Sequence, residues 1–282
     1  MTKCNTAIFC TADEKYIPYA VIALRSMGKF FDFPLFILTD VQKIDKKLRK
    51  FLDKYNISTL HSRCFDLFSV KKHFWSPIAY GKFEAPELLF KEGFSHSISI
   101  DADILCRKSF DAETILNNTH NFSGIANQTP IEENINNFEK FRRILKKDFD
   151  MPLGDYGTSI LVNPNSGFLF WNNKWAYNFC LFSKSQALNK KFGMYLRAID
   201  QSLLAVIILI NTITYNVIDH VYNFRTGNAA DRALPIADDD IINIHYTGNK
   251  PWRGLTAEQL LTDEMEANWI FEWYILSRRL LT

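Results

Sequence analysis

The sequence predicts an α/β protein: a mostly parallel mixed sheet with helices on both faces, in a single domain. Three observations predict it. Short apolar runs alternate with stretches whose apolar residues recur at helical spacing. An acidic pair, Asp101-Ala102-Asp103, falls where one of those runs ends. The 282 residues are 47% hydrophobic with no repeat, low-complexity tract or linker, which suits one large core.

The elements follow in order. Ala7 to Cys10 is an apolar strand ending in Thr11-Ala12-Asp13, and Tyr19, Ile22, Ala23 and Met27 continue at helical spacing. Phe33 to Leu38 reads as a second strand, Ile44 to Tyr55 as a helix with Leu48, Phe51 and Leu52 on one face, and Ile57 to Leu60 as a third strand. Tyr80 to Phe90 reads as a helix despite Pro86, and Gly93 ends it before the strand Ser97 to Ile100. That strand runs into the acidic pair, and open α/β sheets bind ligands at the carboxyl ends of their strands. Beyond it the pattern predicts a charged helix from Ile131 to Lys147, a loop from Met151 to Asn165, and a short strand from Gly167 to Trp171. A buried helix from Ile199 to Ile210 and a last core strand from Ile241 to Ile244 follow. Thr256 with Gln259 caps a C-terminal helix reaching about Leu281.

Composition narrows the class. Thirty-three basic and thirty-one acidic residues give a formal charge of +2, so no global field draws the chain to nucleic acid or to an anionic membrane. The five cysteines are widely spaced without a CxxC, which fits reduced thiols in the cytoplasm. Neither a signal-peptide core nor a membrane-spanning run is expected, since the longest apolar run is Leu203 to Ile210.

Two carboxylates one residue apart lie on the same side of extended backbone and can face one divalent cation. The pattern is common by itself: with nineteen aspartates, chance supplies about one Asp-x-Asp and the chain holds three. Asp148-Phe-Asp150 and Asp238-Asp-Asp240 lie in polar or acidic segments and read as structural. Asp101-Ala102-Asp103 instead lies between an apolar strand and Ile104-Leu105, where unpaired carboxylates are costly and a metal offsets the cost. The second constellation is His245-Tyr-Thr-Gly248-Asn-Lys250-Pro-Trp252, a strand-ending imidazole followed by a glycine turn and a lysine. Such a turn can bring backbone N–H groups and an ammonium to a phosphate.

Taken in order, these pieces resemble glycosyltransferase family 8, the glycogenin-like and lipopolysaccharide galactosyl- and glucosyltransferases of GT-A fold. The pieces are Ala12-Asp13-x-x-Tyr16, Tyr80-x-Lys82, Ile100-Asp-Ala-Asp-Ile-Leu105, Asn165-Ser-Gly167, Asp200-Gln201, and His245-Tyr-x-Gly248 with Lys250-Pro-Trp252. The resemblance implies a nucleotide-sugar fold, with residues 1–255 as the catalytic domain. Residues 256–282 would be a helical segment packed on it or resting at a membrane surface. It implies that Asp101, Asp103 and His245 hold a metal, Mn²⁺ or Mg²⁺, and mixed oxygen and imidazole ligation suits manganese. It further implies that Ala12, Asp13 and Tyr16 meet the nucleotide. Lys82, Ala102 and Asn165 would line the donor, Gly248 and Lys250 would hold the diphosphate, and Asp200 and Gln201 would face the sugar beside Lys250 as the catalytic group.

The implied reaction moves a hexose, galactose or glucose, from a UDP-sugar to a glycan or lipid-linked saccharide with retention. The implied setting is lipopolysaccharide biosynthesis in the cytoplasm or at the inner face of the membrane. The chain differs from the family's usual pattern at Lys15, Lys82, Asn127 and Asn249. Two other readings of the same fold are a nucleotide-sugar-binding protein without turnover and a nucleotidyltransferase. The latter would carry a glycine-rich loop after the first strand, and Thr11 to Lys15 has no glycine.

Overall fold

The computed structural model describes residues 5–42, 44–68, 76–127, 131–151, 163–253 and 264–281. Its strands are β1 (Thr6–Thr11), β2 (Leu35–Thr39), β3 (Ile57–His61), β4 (His96–Ile100), β5 (Ile104–Cys106), β6 (Phe122–Ala126), β7 (Pro164–Asn172), β8 (Asn216–Val217), β9 (Phe224–Arg225) and β10 (Asn243–His245). Its helices are α1 (Ile17–Gly28), α2 (Lys46–Lys54), α3 (Cys64–Leu67), α4 (Gly81–Lys91), α5 (Ala112–Asn117), α6 (Phe138–Phe149), α7 (Asn173–Phe179), α8 (Leu181–Phe192), α9 (Ile199–Asn211), α10 (Ala229–Arg232) and α11 (Glu264–Leu281).

Strand β1 is buried from Thr6 to Cys10 because both faces of its sheet are covered. Successive side chains alternate between two apolar clusters: Ala7 and Phe9 enter one, Ile8 and Cys10 the other. The sheet runs β3-β2-β1-β4-β7-β6-β8, and only β7 runs against its neighbours. Helices α4, α7, α8 and α9 contribute to the first cluster, and α1, α2 and α5 to the second.

Local chemistry fixes the ends of these elements. The Asp45 side chain accepts from the Leu48 N–H at 2.7 Å and caps α2. Pro86 removes the helical donor to the carbonyl of Lys82, yet α4 continues because Phe83, Ala85 and Leu89 are buried along it. The helix stops at Gly93, whose φ of 94° opens the left-handed turn. Phe94 N then bonds Leu89 O and Gly93 N bonds Phe90 O, the paired closure of a Schellman motif.

Two expectations are corrected. The charged helix from Ile131 to Lys147 is a 3-10 turn at Ile131–Asn134 followed by α6. Between them Ile135 bridges to Leu196, and Asn137 takes a left-handed φ of 52°, which asparagine tolerates better than most residues. The strand expected at Ile241 to Ile244 is β10, and it belongs to a second sheet, β5-β10-β9, instead of the main one. Ile244 enters a third apolar cluster with Leu105, Trp269, Ile270 and Trp273, so α11 packs beside α1 through its tryptophans. The expected cap Thr256 and Gln259, and most of the loop from Met151 to Asn165, lie outside the described residues.

Candidate active site

The second sheet builds the site. Asp101 leaves the end of β4, Asp103 precedes β5, and the antiparallel pairing of β10 with β5 sets His245 opposite Ile104. The Tyr246 N–H bonds the Asp103 carbonyl at 3.0 Å, which ties the two segments at the point where their side chains meet. His245 Nε2 lies 3.3 Å from Asp103 Oδ1 and 3.7 Å from Asp101 Oδ2. One donor atom from each of the three lies within 4.8 Å of the others.

Two lysines flank the carboxylates. Lys82, buried on α4, holds its ammonium 2.5 Å from Asp101 Oδ1 and 2.8 Å from Asp200 Oδ2. Lys250 pairs with Asp103 and also donates to the Tyr246 carbonyl at 2.6 Å. Burial pushes the Asp101 carboxyl up against the pull of Lys82, with the charge of Asp103 adding to the rise. Burial also acts to raise Asp103, but His245 in its protonated form, together with Lys250, outweighs it and holds that carboxyl well below the usual carboxylate range. For Lys82 burial opposes the charge, and Asp101 and Asp200 together overcome it. At Lys82 one ammonium therefore serves two carboxylates that no hydrocarbon neighbour could balance.

Behind His245 runs a chain of amides. His245 Nδ1 is 2.9 Å from Asn223 Oδ1, Asn223 Nδ2 donates to Asn165 Oδ1 at 2.8 Å, and Asn165 Nδ2 donates to Gln201 Oε1 at 2.9 Å. The imidazole lies over Gly167, where an added Cβ would stand 2.2 Å from Cε1 and 2.6 Å from Nδ1. The glycine of Asn165-Ser-Gly167 is thus required by close approach of the ring.

The other expected residues form a neighbouring group. Ala12 is buried and donates its N–H to the Leu38 carbonyl at 3.0 Å. Asp13 Oδ1 accepts the Tyr16 N–H at 3.2 Å and lines a cavity of about 710 Å³ at the carboxyl ends of β1 to β3, with Lys15 and Asp40. The Tyr16 ring meets Trp252 edge-on at 6.0 Å, and Trp252 stacks on Tyr19 at 4.0 Å. Trp252 sits in the turn Pro251–Arg253, so this aromatic group joins the Asp13 side of the site to the Lys250 side. Gly248 stands against Gly227, and a Cβ added to Gly227 would lie 2.5 Å from the Gly248 nitrogen. Ala102 is half-buried between the two aspartates.

Sequence reasoning missed Asn223 and the buried group beside it. Arg225 clamps Asp231 through Nε at 2.7 Å and through a second contact at 2.5 Å, and also bonds Asn127. Strand β9 has two residues, too few for a periodic signal, and its value comes from pairing in parallel with β10.

Two carboxylates and an imidazole nitrogen gathered at the end of a buried strand are a donor set suited to a divalent cation. The fold is the GT-A fold of the glycosyltransferases. It is shared with the galactosyltransferase LgtC, solved with donor and acceptor sugar analogues. That match has 17% identity and a TM-score of 0.66, and covers 98% of this chain and 96% of that one. The glycosyltransferase GlyE of Streptococcus pneumoniae matches with 16% identity and a TM-score of 0.59, over 98% of this chain and 63% of that one. Mouse xyloside xylosyltransferase 1 matches with 15% identity and a TM-score of 0.59, over 88% and 100%. Among curated proteins none matches the sequence. The profile of glycosyl transferase family 8 matches residues 7–256, and the chain belongs to that family. It is an enzyme, a glycosyltransferase.

Proposed function

We propose that the enzyme moves galactose or glucose from a UDP-sugar to a saccharide or lipid-linked saccharide with retention, using Mn²⁺ or Mg²⁺ held by Asp101, Asp103 and His245. The observation that carries this reading is the convergence of His245 Nε2 on two carboxylates, flanked by Lys82 and Lys250. A divalent cation bound there supplies Lewis-acid stabilisation of the charge that develops on the leaving diphosphate. Lys250, partly exposed, adds a second positive charge for the same leaving group. Asp13, which lines the cavity beside β1 with Lys15, serves the nucleobase together with Tyr16. Lys82, Asn165, Asp200 and Gln201 form the wall that faces the donor sugar. No nucleophile is assigned: Asp200 is paired with Lys82, and Gln201 accepts from Asn165.

Among the described residues no helix is long and apolar enough to cross a membrane. Helix α11 leaves Phe271, Tyr274 and Ile275 exposed, with Arg278 and Arg279 in its last turn. That face supports a peripheral contact at the inner side of a membrane, where a lipid-linked acceptor of lipopolysaccharide biosynthesis would lie.

Release of UDP from UDP-galactose and UDP-glucose, with Mn²⁺ or with a chelator, tests the reading. It should require metal for at least one donor. Asp103→Ala should lower the rate at least about 10²-fold, the scale of losing one electrostatic stabiliser. Equal release by wild type and Asp103→Ala would sink it.

A further inference from the structure

The three proposed ligands do not by themselves explain what keeps the lone pair of His245, and not a proton, pointed at the two carboxylates. Carboxylate oxygens 3.3 and 3.7 Å from Nε2 are acceptors, and in isolation they favour the tautomer with its proton on Nε2. A ring in that tautomer has no lone pair to offer a cation at the site. Something must hold the proton on the other nitrogen.

The direction of the amide chain is fixed from one end. The Gly167 backbone N–H can only donate, and it donates to Asn165 Oδ1 at 2.9 Å. That side of the Asn165 amide is therefore the oxygen, and the Asn223 atom 2.8 Å from it must be a donor, the NH₂. The other end of the Asn223 amide is then its carbonyl oxygen, 2.9 Å from His245 Nδ1. Only a proton on Nδ1 satisfies that contact. Asn223 is fully buried, so no water competes for its oxygen, and turning the amide would set its NH₂ against the imidazole while facing oxygen with oxygen at Asn165.

We propose that Asn223 is a positioning residue for the metal centre: its carbonyl holds the proton of His245 on Nδ1, so that Nε2 presents its lone pair between Asp101 and Asp103. The proposal rests on the metal reading above but concerns a residue that no motif singled out. The same chain reaches Gln201 through Asn165, so the orientations of the metal-facing imidazole and of the sugar-facing carboxamide are set by one backbone N–H. A hydrogen-bonded partner on the far nitrogen of a ligating histidine typically changes metal affinity by about 10- to 100-fold.

Two measurements test it. In ¹⁵N-histidine-labelled, metal-free wild-type protein at about pH 9, above the ordinary imidazole range, nuclear magnetic resonance should find the His245 proton on Nδ1 and none on Nε2. A proton on Nε2 would overturn the proposal without any variant having to fold. Mn²⁺ uptake in the presence of UDP, read from the electron paramagnetic resonance of the free ion, should weaken about 10- to 100-fold in Asn223→Ala. Asn223→Asp should keep most of the affinity, because its carboxylate still accepts from Nδ1 although it no longer donates to Asn165. Equal losses in the two variants would mean that Asn223 only supports the fold, and that outcome also overturns the proposal. Wild-type protein that takes up no Mn²⁺ would contradict the metal reading beneath, while the position of the ring proton would still decide the role given to Asn223.

Discussion

A single carbon added at Gly167 would lie 2.2 Å from His245 Cε1, closer than any real contact, and the ring is already held at two points. Its Nδ1 is held by Asn223 and its backbone by the pairing of β10 with β5. Gly167→Ala should therefore cost about 1–3 kcal/mol of overpacking. Most of it should appear as weaker Mn²⁺-dependent UDP binding, checked by comparing metal affinity with the melting temperature. Asp231 carries a second prediction. Burial alone would raise its carboxyl, but the Arg225 guanidinium outweighs burial and holds it at about 2, below the ordinary 3.8. The folded value is the depressed one, so the pair's contribution is complete above about pH 4 and is lost as pH falls through about 2. It amounts to about 2 kcal/mol. Asp231→Asn should flatten that part of the acid-unfolding curve. At neutral pH it should cost about 3–5 kcal/mol, because Arg225 is left buried without its counter-charge.

Among elements, the small sheet β5-β10-β9 does most to assemble the site, and it is also the part least visible in the sequence. The carboxylate pair was legible because an apolar strand ends at it, and β1 through β4 were legible because their short apolar runs alternate with stretches of helical spacing. Asn223 was not, since β9 is two residues long and its neighbour β10 lies about twenty positions downstream. The helix expected from Ile131 to Lys147 failed for another reason: charge patterning carries no sign of the Ile135 bridge to Leu196 that breaks it. Helix α11 tests how far the small sheet depends on its cover. Trp269 is 2% exposed, packs on Phe224 of β9 and donates its indole N–H to Asp238 at 2.7 Å. Trp269→Ala should lower stability by about 3–5 kcal/mol, measured by denaturant unfolding. Any Mn²⁺ requirement should survive in the fraction that remains folded, because no ligand is touched.

Across the whole molecule, the family profile spans residues 7–256 and the fold matches glycosyltransferases at 15–17% identity, so what is retained at that distance is chiefly the frame. At position 82 the family resemblance implies an arginine, and the chain carries Lys82. Its ammonium bridges Asp101 and Asp200, which would keep the proposed metal side and sugar side of the site electrostatically joined. Lysine supplies a point charge where guanidinium would supply a fork, so donor preference is where this chain should depart most from its relatives. The central claim, that two aspartates and a histidine make nucleotide binding depend on a metal, is tested most directly by calorimetric titration of UDP with and without Mn²⁺. Binding should appear with Mn²⁺, disappear with a chelator, and be lost in His245→Ala. Binding of equal strength with and without the metal would contradict the claim.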